Sequence, residues 1–237
     1  MLDLVIPVYN EDRNILRTFD EIEKKVKSPL RAFVVYDSDS DTTLPVVREN
    51  ASKYGFEIKP VKNLFGRGAL NAIKTGLQIA EGECVLVCMA DLSDDLSAVD
   101  PMVRKMKKGH YAVVCGSRYV KGGEHNGGPF LKSLMSKWAG LSLHYLSGIP
   151  THDATNSFKL YSKEILSAMT IESTGGFELG LEIVTKAYCS GYRISEVPSK
   201  WYDRDEGESR FKLWSWLPHY LHWYFYCIFK SFRVRFR

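Results

Sequence analysis

Apolar and polar positions alternate along this chain in two rhythms. Leu2–Val8 is a continuous run rich in β-favouring residues, ended by Pro7 and Asn10. From Glu11 to Val26 the apolar positions Ile15, Phe19, Ile22 and Val26 fall at helical spacing. The pair then recurs: Ala32–Tyr36 predicts a second strand and Leu44–Tyr54 a helix, and Glu57–Val61 predicts a third strand before a helix over Gly68–Ala80. Cys84–Met89 predicts a fourth strand, nearly all apolar, as a strand covered on both faces should be. A helix near Val99–Lys107 and a fifth strand over Tyr111–Cys115 follow. Strands separated by helices of about 10–15 residues predict βαβ units, and so an α/β fold with a doubly wound, mostly parallel sheet and helices on both faces. In such a sheet the ligand sits beyond the carboxyl ends of the strands, near the point where strand order reverses. That directs attention to Pro7–Glu11, Tyr36–Thr43 and Met89–Asp95.

The second half is less regular. The glycines of Lys121–Pro129 predict a flexible loop, Phe130–Leu146 a helix, Ser157–Tyr161 a strand, Gly176–Cys189 a helix and Tyr192–Val197 a strand before Pro198. At the end, Phe211–Phe236 carries apolar residues nearly all round and is broken by Pro218, which predicts one or two amphipathic aromatic helices.

Composition changes this picture mainly at that tail. A chain of 237 residues with 45% hydrophobic and 25% charged residues can bury a full core, which excludes a disordered or collagen-like chain. No apolar run reaches the roughly 18 residues a membrane span needs, and Leu217–Phe229 is interrupted by Pro218, His219 and His222. Met1-Leu2-Asp3-Leu4 enters the first strand without a basic prelude, so no secretory signal is expected. Five cysteines without CxxC spacing read as reduced thiols of a cytosolic protein. The net charge of +4 is unevenly spread: residues 211–237 hold Lys212, Lys230, Arg233, Arg235 and Arg237, no acid, and 11 of the 30 aromatic residues. A catalytic body over 1–210 and a basic aromatic appendage over 211–237 are therefore expected. A nucleic-acid binder would spread positive charge over the body. The tail instead suits an anionic membrane surface, with a helix packed on the body or in a homo-oligomer interface as the alternative.

Acidic residues after strands are often caps and turn formers, as Asp41 before the second helix or Asp95 and Ser97 before Val99 would be. Two acidic clusters after the second and fourth strands of one sheet would, however, converge at one rim. Close carboxylates repel unless a cation or ligand donors lie among them, and a divalent metal holding a diphosphate answers that requirement.

In order and spacing, the segments resemble the inverting family-2 glycosyltransferases of the GT-A, Rossmann-like fold. Val5-Ile6-Pro7-Val8-Tyr9-Asn10-Glu11 resembles their PxYNE start, and Tyr36–Thr43 is similar to their DDxSxDxT turn. Gly66-Arg67-Gly68-Ala69-Leu70 continues the match, and Met89-Ala90-Asp91-Leu92-Ser93 stands in the place of the DxD segment. Gly116–Gly123, Asp153–Tyr161, Gly176-Phe177-Glu178, Glu196-Val197-Pro198, and Arg204 with Gly207–Arg210 resemble the dolichyl- and polyprenyl-phosphate mannose synthase branch. The match spans roughly residues 2–210.

The resemblance implies an enzyme and assigns it a site. Pro7, Tyr9, Glu11, Val35 and Asp37 would line the base and ribose pocket of a nucleotide-sugar donor. Met89, Ala90, Asp91 and Ser93 would lie along its diphosphate, with Asp91 on a divalent Mg²⁺ or Mn²⁺ ion. Arg204 and Arg210 would close over the donor phosphates, and Arg118 and Lys132 would meet the phosphate of the acceptor. Asp153 and Glu178 would lie by the reacting sugar. The chain departs from the family pattern at Met89, the first position of DxD, where a thioether is a poor ligand for a hard cation, so the metal is expected to be weakly held. Tyr36, Ser93, Asn156 and Ser157 also differ from the pattern, and Asp94 or Asp95 could be recruited.

The implied reaction moves a hexose from a GDP-mannose or UDP-hexose type donor to a polyprenyl-phosphate lipid, on the cytoplasmic face of a membrane. An anionic phosphate acceptor needs no strong base; a sugar hydroxyl would, with Asp153 the first choice and Glu178 the second. Two alternatives stand beside this: extension of a lipid-linked or polysaccharide glycan through a hydroxyl, and a non-catalytic nucleotide-sugar-binding subunit.

Overall fold

The computed structural model describes residues 1–203 and 213–235. β1 (Leu2–Val8) leads to α1 (Ile15–Lys25), β2 (Leu30–Tyr36) to α2 (Thr43–Asn50), and β3 (Glu57–Lys62) to α3 (Ala69–Ile79). β4 (Cys84–Val87), α4 (Val99–Gly109) and β5 (Val113–Ser117) complete the regular half. Then come β6 (Glu124–Asn126), α5 (Phe130–Ser147), β7 (Lys159–Ser162) and α6 (Lys163–Ala168). The chain closes with α7 (Leu179–Cys189), β8 (Ile194–Pro198), β9 (Lys200–Tyr202) and α8 (Leu213–Arg235).

Seven strands form one sheet in the order β3-β2-β1-β4-β7-β5-β8. All run parallel except β7, which is antiparallel to both neighbours. The chain steps from β1 outward to β3 and returns to place β4 on the other side of β1, so the strand order reverses between β1 and β4. The carboxyl ends of six strands share one rim with the amino end of β7.

Alternation along the strands divides the core in two. Leu4, Ile6, Val34 and Leu86 face α1, α2 and α4, where Phe19, Leu44 and Met102 are buried. Val5, Val35, Val85 and Val87 face α3 and α7, against Ile73, Leu77 and Val184. α3 lies so close to the sheet that a Cβ at Gly76 would sit 2.1 Å from a methyl of Val5, which explains glycine inside that helix. Buried Asp3 clamps the amino ends: Arg31 Nε and Nη2 donate to its two oxygens at 2.7 and 3.0 Å, and Glu81 and Gly82 N–H donate to Oδ2 at 2.8 and 2.7 Å. Burial alone would raise its pKa, but the Arg31 guanidinium and the two amides together hold the carboxyl below its ordinary range.

In the second half the four-residue β7 inserts between β4 and β5, and two expectations are corrected. The glycine-rich segment is not all loop: its β6 pairs in parallel with β9, and His125 stacks between Tyr119 and Trp201 at 6.3 and 4.6 Å. Pro218 does not break the tail, since α8 is one helix with Pro218 one turn past its start. There the missing N–H costs a single hydrogen bond, to the carbonyl four residues earlier, and packing of the later turns outweighs it. Along α8, Trp223, Cys227 and Ser231 form a buried stripe at four-residue spacing, packed against α7 and α5. Tyr224 Oη meets Ser142 Oγ of α5 at 2.9 Å.

Candidate active site

The first wall rises from β1 and β2. Pro7 stands opposite Val35 in the parallel register, both buried, while Tyr9 is 48% exposed just beyond. The chain then turns through Asn10 at φ 56°, fastened by Asn10 N–H to Asp41 Oδ1 at 3.1 Å and Glu11 N–H to Thr43 Oγ1 at 2.9 Å. Asp37, at the end of β2, accepts from Asn63 Nδ2 at 2.9 Å and from Gly68 N–H at 2.8 Å. Gly68 precedes α3 at φ 114°, a conformation that suits glycine. Pro7, Tyr9, Glu11, Val35 and Asp37 are thus brought to one corner.

The floor follows β4. Ala90 is buried and its carbonyl accepts from Thr18 Oγ1 at 3.2 Å. Leu92 takes φ 58°, which folds the loop so that Ser93 N–H and Oγ donate to Asp91 Oδ1 at 3.1 and 2.7 Å. Met89, half-buried, offers only a thioether beside Asp91. Asp94 and Asp95 diverge. Asp95 caps the next turn through Ser97 N–H and Oγ at 3.1 and 2.7 Å and holds Lys25 Nζ at 3.2 Å. Asp94 Oδ1 is shut off from solvent with no hydrogen-bond partner. Burial, and then the charge of Asp91, push its carboxyl up to about 7. Among the described residues no three His, Cys, Asp or Glu side chains gather as a metal cluster. The donor set fits a divalent cation of the kind held by one or two carboxylates and substrate phosphates.

The second wall follows β5. Arg118 is drawn inward to a fully buried Asp153, on the loop before β7. Its Nε donates to Oδ2 at 2.7 Å, its Nη2 to Oδ1 at 2.9 Å and its backbone N–H to Oδ2 at 3.0 Å. Nη2 also reaches Ser136 Oγ at 2.9 Å, and Nη1 lies 3.3 Å from His125 Nδ1. Burial opposes charge on both partners, but each charge outweighs it on the other: Arg118 is held above its ordinary range and Asp153 below. Glu196 fixes the Asp153 loop from behind, accepting His152 N–H at 2.8 Å and Thr151 Oγ1 at 3.1 Å. Lys159, fully buried, donates to the Asn156 carbonyl, and burial lowers its pKa.

Glu178 heads α7, fully buried. Its Oε1 accepts Gly175 N–H at 2.7 Å and its Oε2 has no partner. The first turns of α8 cover this loop. A Cβ on Gly175 would meet the His219 ring at 2.6 Å and one on Gly176 the Trp216 ring at 2.9 Å. A cavity of about 320 Å³ opens between Trp216, the Ser173–Gly176 segment and the start of α3, where Arg67 and Lys74 also face it. Lys132 lies in the first turn of α5, its side chain outside the described residues, as are Arg204 and Arg210.

Sequence reasoning missed two features. One is the inward role of Trp216 and His219, for which the paired glycines ahead of Glu178 were the available signal. The other is an exposed apolar face on α5, where Phe130 is 80% and Trp138 64% exposed, with Leu131, Tyr145 and Leu146 also open. The outer side of α8 carries a groove of about 530 Å³ lined by Leu221, His222, Phe225, Tyr226, Phe229 and Lys230. No helix among the described residues is long and apolar enough to cross a membrane.

Comparison with known proteins gives this geometry a lineage. The chain is 30% identical over 216 residues to a dolichol-phosphate mannosyltransferase from Pyrococcus furiosus, covering 89% of this chain and 59% of that protein. It is 25% identical over 212 residues to a polyprenol monophosphomannose synthase from Mycolicibacterium smegmatis, covering 87% and 79%. The chain therefore spans less than two thirds of the Pyrococcus relative. Among solved structures, glucosyl-3-phosphoglycerate synthase from Mycobacterium tuberculosis, in complex with Mn²⁺, UDP-glucose and phosphoglyceric acid, superposes with a TM-score of 0.70. It is 14% identical, over 96% of this chain and 79% of that one, a likeness of fold, and the fold is the expected GT-A arrangement. Residues 3–170 match the family described as glycosyl transferase family 2, and the chain belongs to that family.

Proposed function

We propose that the chain is an inverting glycosyltransferase that moves a hexose from a nucleotide-diphosphate donor to a polyprenyl-phosphate acceptor at a membrane surface. The observation that carries the choice of acceptor is the Arg118–Asp153 fork. A sugar hydroxyl needs a carboxylate to take its proton, and the first candidate has both oxygens engaged by a guanidinium and a lowered proton affinity. The second, Glu178, is fully buried at the head of α7, on the side where the donor sugar would lie. A phosphate oxygen is already anionic near neutral pH and attacks without that help. The names of the Pyrococcus and Mycolicibacterium relatives support the same acceptor class.

The residues divide the work. Pro7, Tyr9, Glu11, Val35 and Asp37 would receive the base and ribose, and Asp91 the diphosphate end, with Met89, Ala90 and Ser93 shaping the loop. Glu178, with one buried oxygen unpartnered, would accept a hydroxyl of the donor sugar. Lys132 would meet the acceptor phosphate, the paired Arg118 and Asp153 would shape the wall beside it, and Arg204 and Arg210 would neutralise charge on the departing diphosphate. A Mg²⁺ or Mn²⁺ ion held by Asp91 and the donor phosphates would share that neutralisation. Catalysis then rests on alignment for in-line attack at the anomeric carbon and on charge stabilisation opposite it.

The open faces of α5 and α8 would rest on the cytoplasmic leaflet, their rings in the headgroup region and Lys137 and Lys230 toward lipid phosphates. The test is transfer of radiolabelled sugar from GDP-mannose and from UDP-glucose to polyprenyl phosphate in vesicles. Label extractable into organic solvent, abolished by Asp91→Ala in a folded protein, is expected. Label passing only to glycan hydroxyls, or to nothing, overturns the proposal.

A further inference from the structure

We propose that Asp94 is the second protein ligand of the divalent cation, replacing the carboxylate that the chain lacks at Met89. This rests on the donor-site reading above and adds a residue to it. The loop after β4 carries three aspartates, and the structure sorts them. Asp91 is held in place by Ser93 N–H and Oγ at 3.1 and 2.7 Å. Asp95 is spent on Ser97 and Lys25 and belongs to the cap of the following turn. Asp94 is turned into the protein, and its Oδ1 has neither solvent nor a hydrogen-bond donor.

An ionised oxygen in that state is costly unless a cation reaches it. Positive charge does lie nearby, for Arg118 and Lys159 act on Asp94, but Asp91 and Asp153 act on it with the opposite sign. Arg118 already spends Nε and Nη2 on Asp153, and Lys159 donates to the Asn156 carbonyl. Among the described residues the protein itself therefore supplies no partner for the Asp94 oxygen, beside which Asp91 is the strongest source of like charge. Chain geometry makes the substitution feasible. Leu92 in the left-handed region folds the loop back, and an isolated bridge between Asp94 and Trp201 anchors it to the strand beside the cleft. A carboxylate three residues after Asp91 can thus return toward the same end of β4 that Met89 leaves without a hard donor. Hard cations select such oxygens over sulfur, and one or two carboxylates with substrate phosphates complete the usual shell.

The test measures Mn²⁺ binding to the full chain by electron paramagnetic resonance of the free aquo ion, alone and with UDP or GDP. Asp94→Asn should weaken nucleotide-dependent Mn²⁺ binding at least about 10-fold while metal-free nucleotide affinity stays unchanged. Asp95→Asn should bind as wild type, and adding Met89→Asp to Asp94→Asn should restore affinity. Wild-type Mn²⁺ affinity in Asp94→Asn, with nucleotide still bound, overturns the assignment and leaves the donor site standing. Failure of the wild-type chain to bind either nucleotide overturns both. If Asp94→Asn does not fold, Met89→Asp alone carries the test: tighter Mn²⁺ binding supports a site between these residues, and no change overturns it.

Discussion

Replacing Asp153 with asparagine separates a structural ion pair from a catalytic base. Asp153 is fully buried and the Arg118 side chain is 9% exposed, so neither charge is relieved by water. Three hydrogen bonds of 2.7, 2.9 and 3.0 Å join the carboxylate to Arg118. An amide of the same shape keeps one acceptor and turns N–H groups toward guanidinium donors, leaving a buried cation without its counter-charge. Breaking one side of such a pair costs about 3–5 kcal/mol. For a chain of this size, at roughly 2–4 °C per kcal/mol, that is a fall in Tm of the order of 10 °C.

The pH dependence has a definite sign. The folded pKa of Asp153 is depressed below its ordinary 3.8. Its contribution is therefore full above the unfolded carboxylate pKa and drains away as pH falls through the folded value. Thermal and urea unfolding of wild type and Asp153→Asn should show a constant gap from pH 7 to about pH 5, narrowing below 3.8. Arg118→Met combined with Asp153→Leu should recover most of the loss, because replacing both charges removes the uncompensated ion. A variant within about 1 kcal/mol of wild type at pH 7, or a gap that widens toward acid, refutes the reasoning.

Two further outcomes follow from packing. Gly76→Ala places a methyl 2.1 Å from a Val5 methyl and should cost about 1–3 kcal/mol, read as a lower urea midpoint at unchanged slope. Phe225→Glu with Phe229→Glu, on the outer side of α8, should reduce sedimentation with anionic vesicles while Tm stays within a few degrees; undiminished sedimentation removes this face from membrane binding.

Legibility in the sequence follows the physics of each element. The run from β1 to α4 is readable because β1, β2 and β4 are buried and mostly apolar, the exposed edge strand β3 alternates polar with apolar residues, and the helices keep a polar side. The segments flagged after the first, second and fourth strands meet because the strand order places β2, β1 and β4 side by side. β7 was placed near its true position, but its direction was not readable: four residues beginning with a buried lysine carry no orientation signal. The β6–β9 pair escaped because three-residue strands leave no periodicity, and stacking of His125 on Trp201 contributes to what holds them. The divergence of Asp94 from Asp95 depends on the left-handed turn at Leu92, a residue type that gives no warning of that conformation.

The tail shows where composition and packing part company. The shift to basic and aromatic residues near residue 211 suggests an appendage, yet Trp223 and Cys227 of α8 complete the same core as Leu143 of α5 and Val184 of α7. One side of this helix is thus interior. Its first turns also cover the Glu178 loop, because Gly175 and Gly176 have no Cβ to keep the His219 and Trp216 rings away. The opposite side holds the open groove around Phe225 and Phe229. The outer groove and one wall of the cavity at Ser173–Gly176 are thus carried by the same helix. For the same reason, truncation at residue 210 would strip core residues along with the groove, and loss of vesicle binding in such a chain would say nothing about the surface. Substitutions confined to the outer side isolate it.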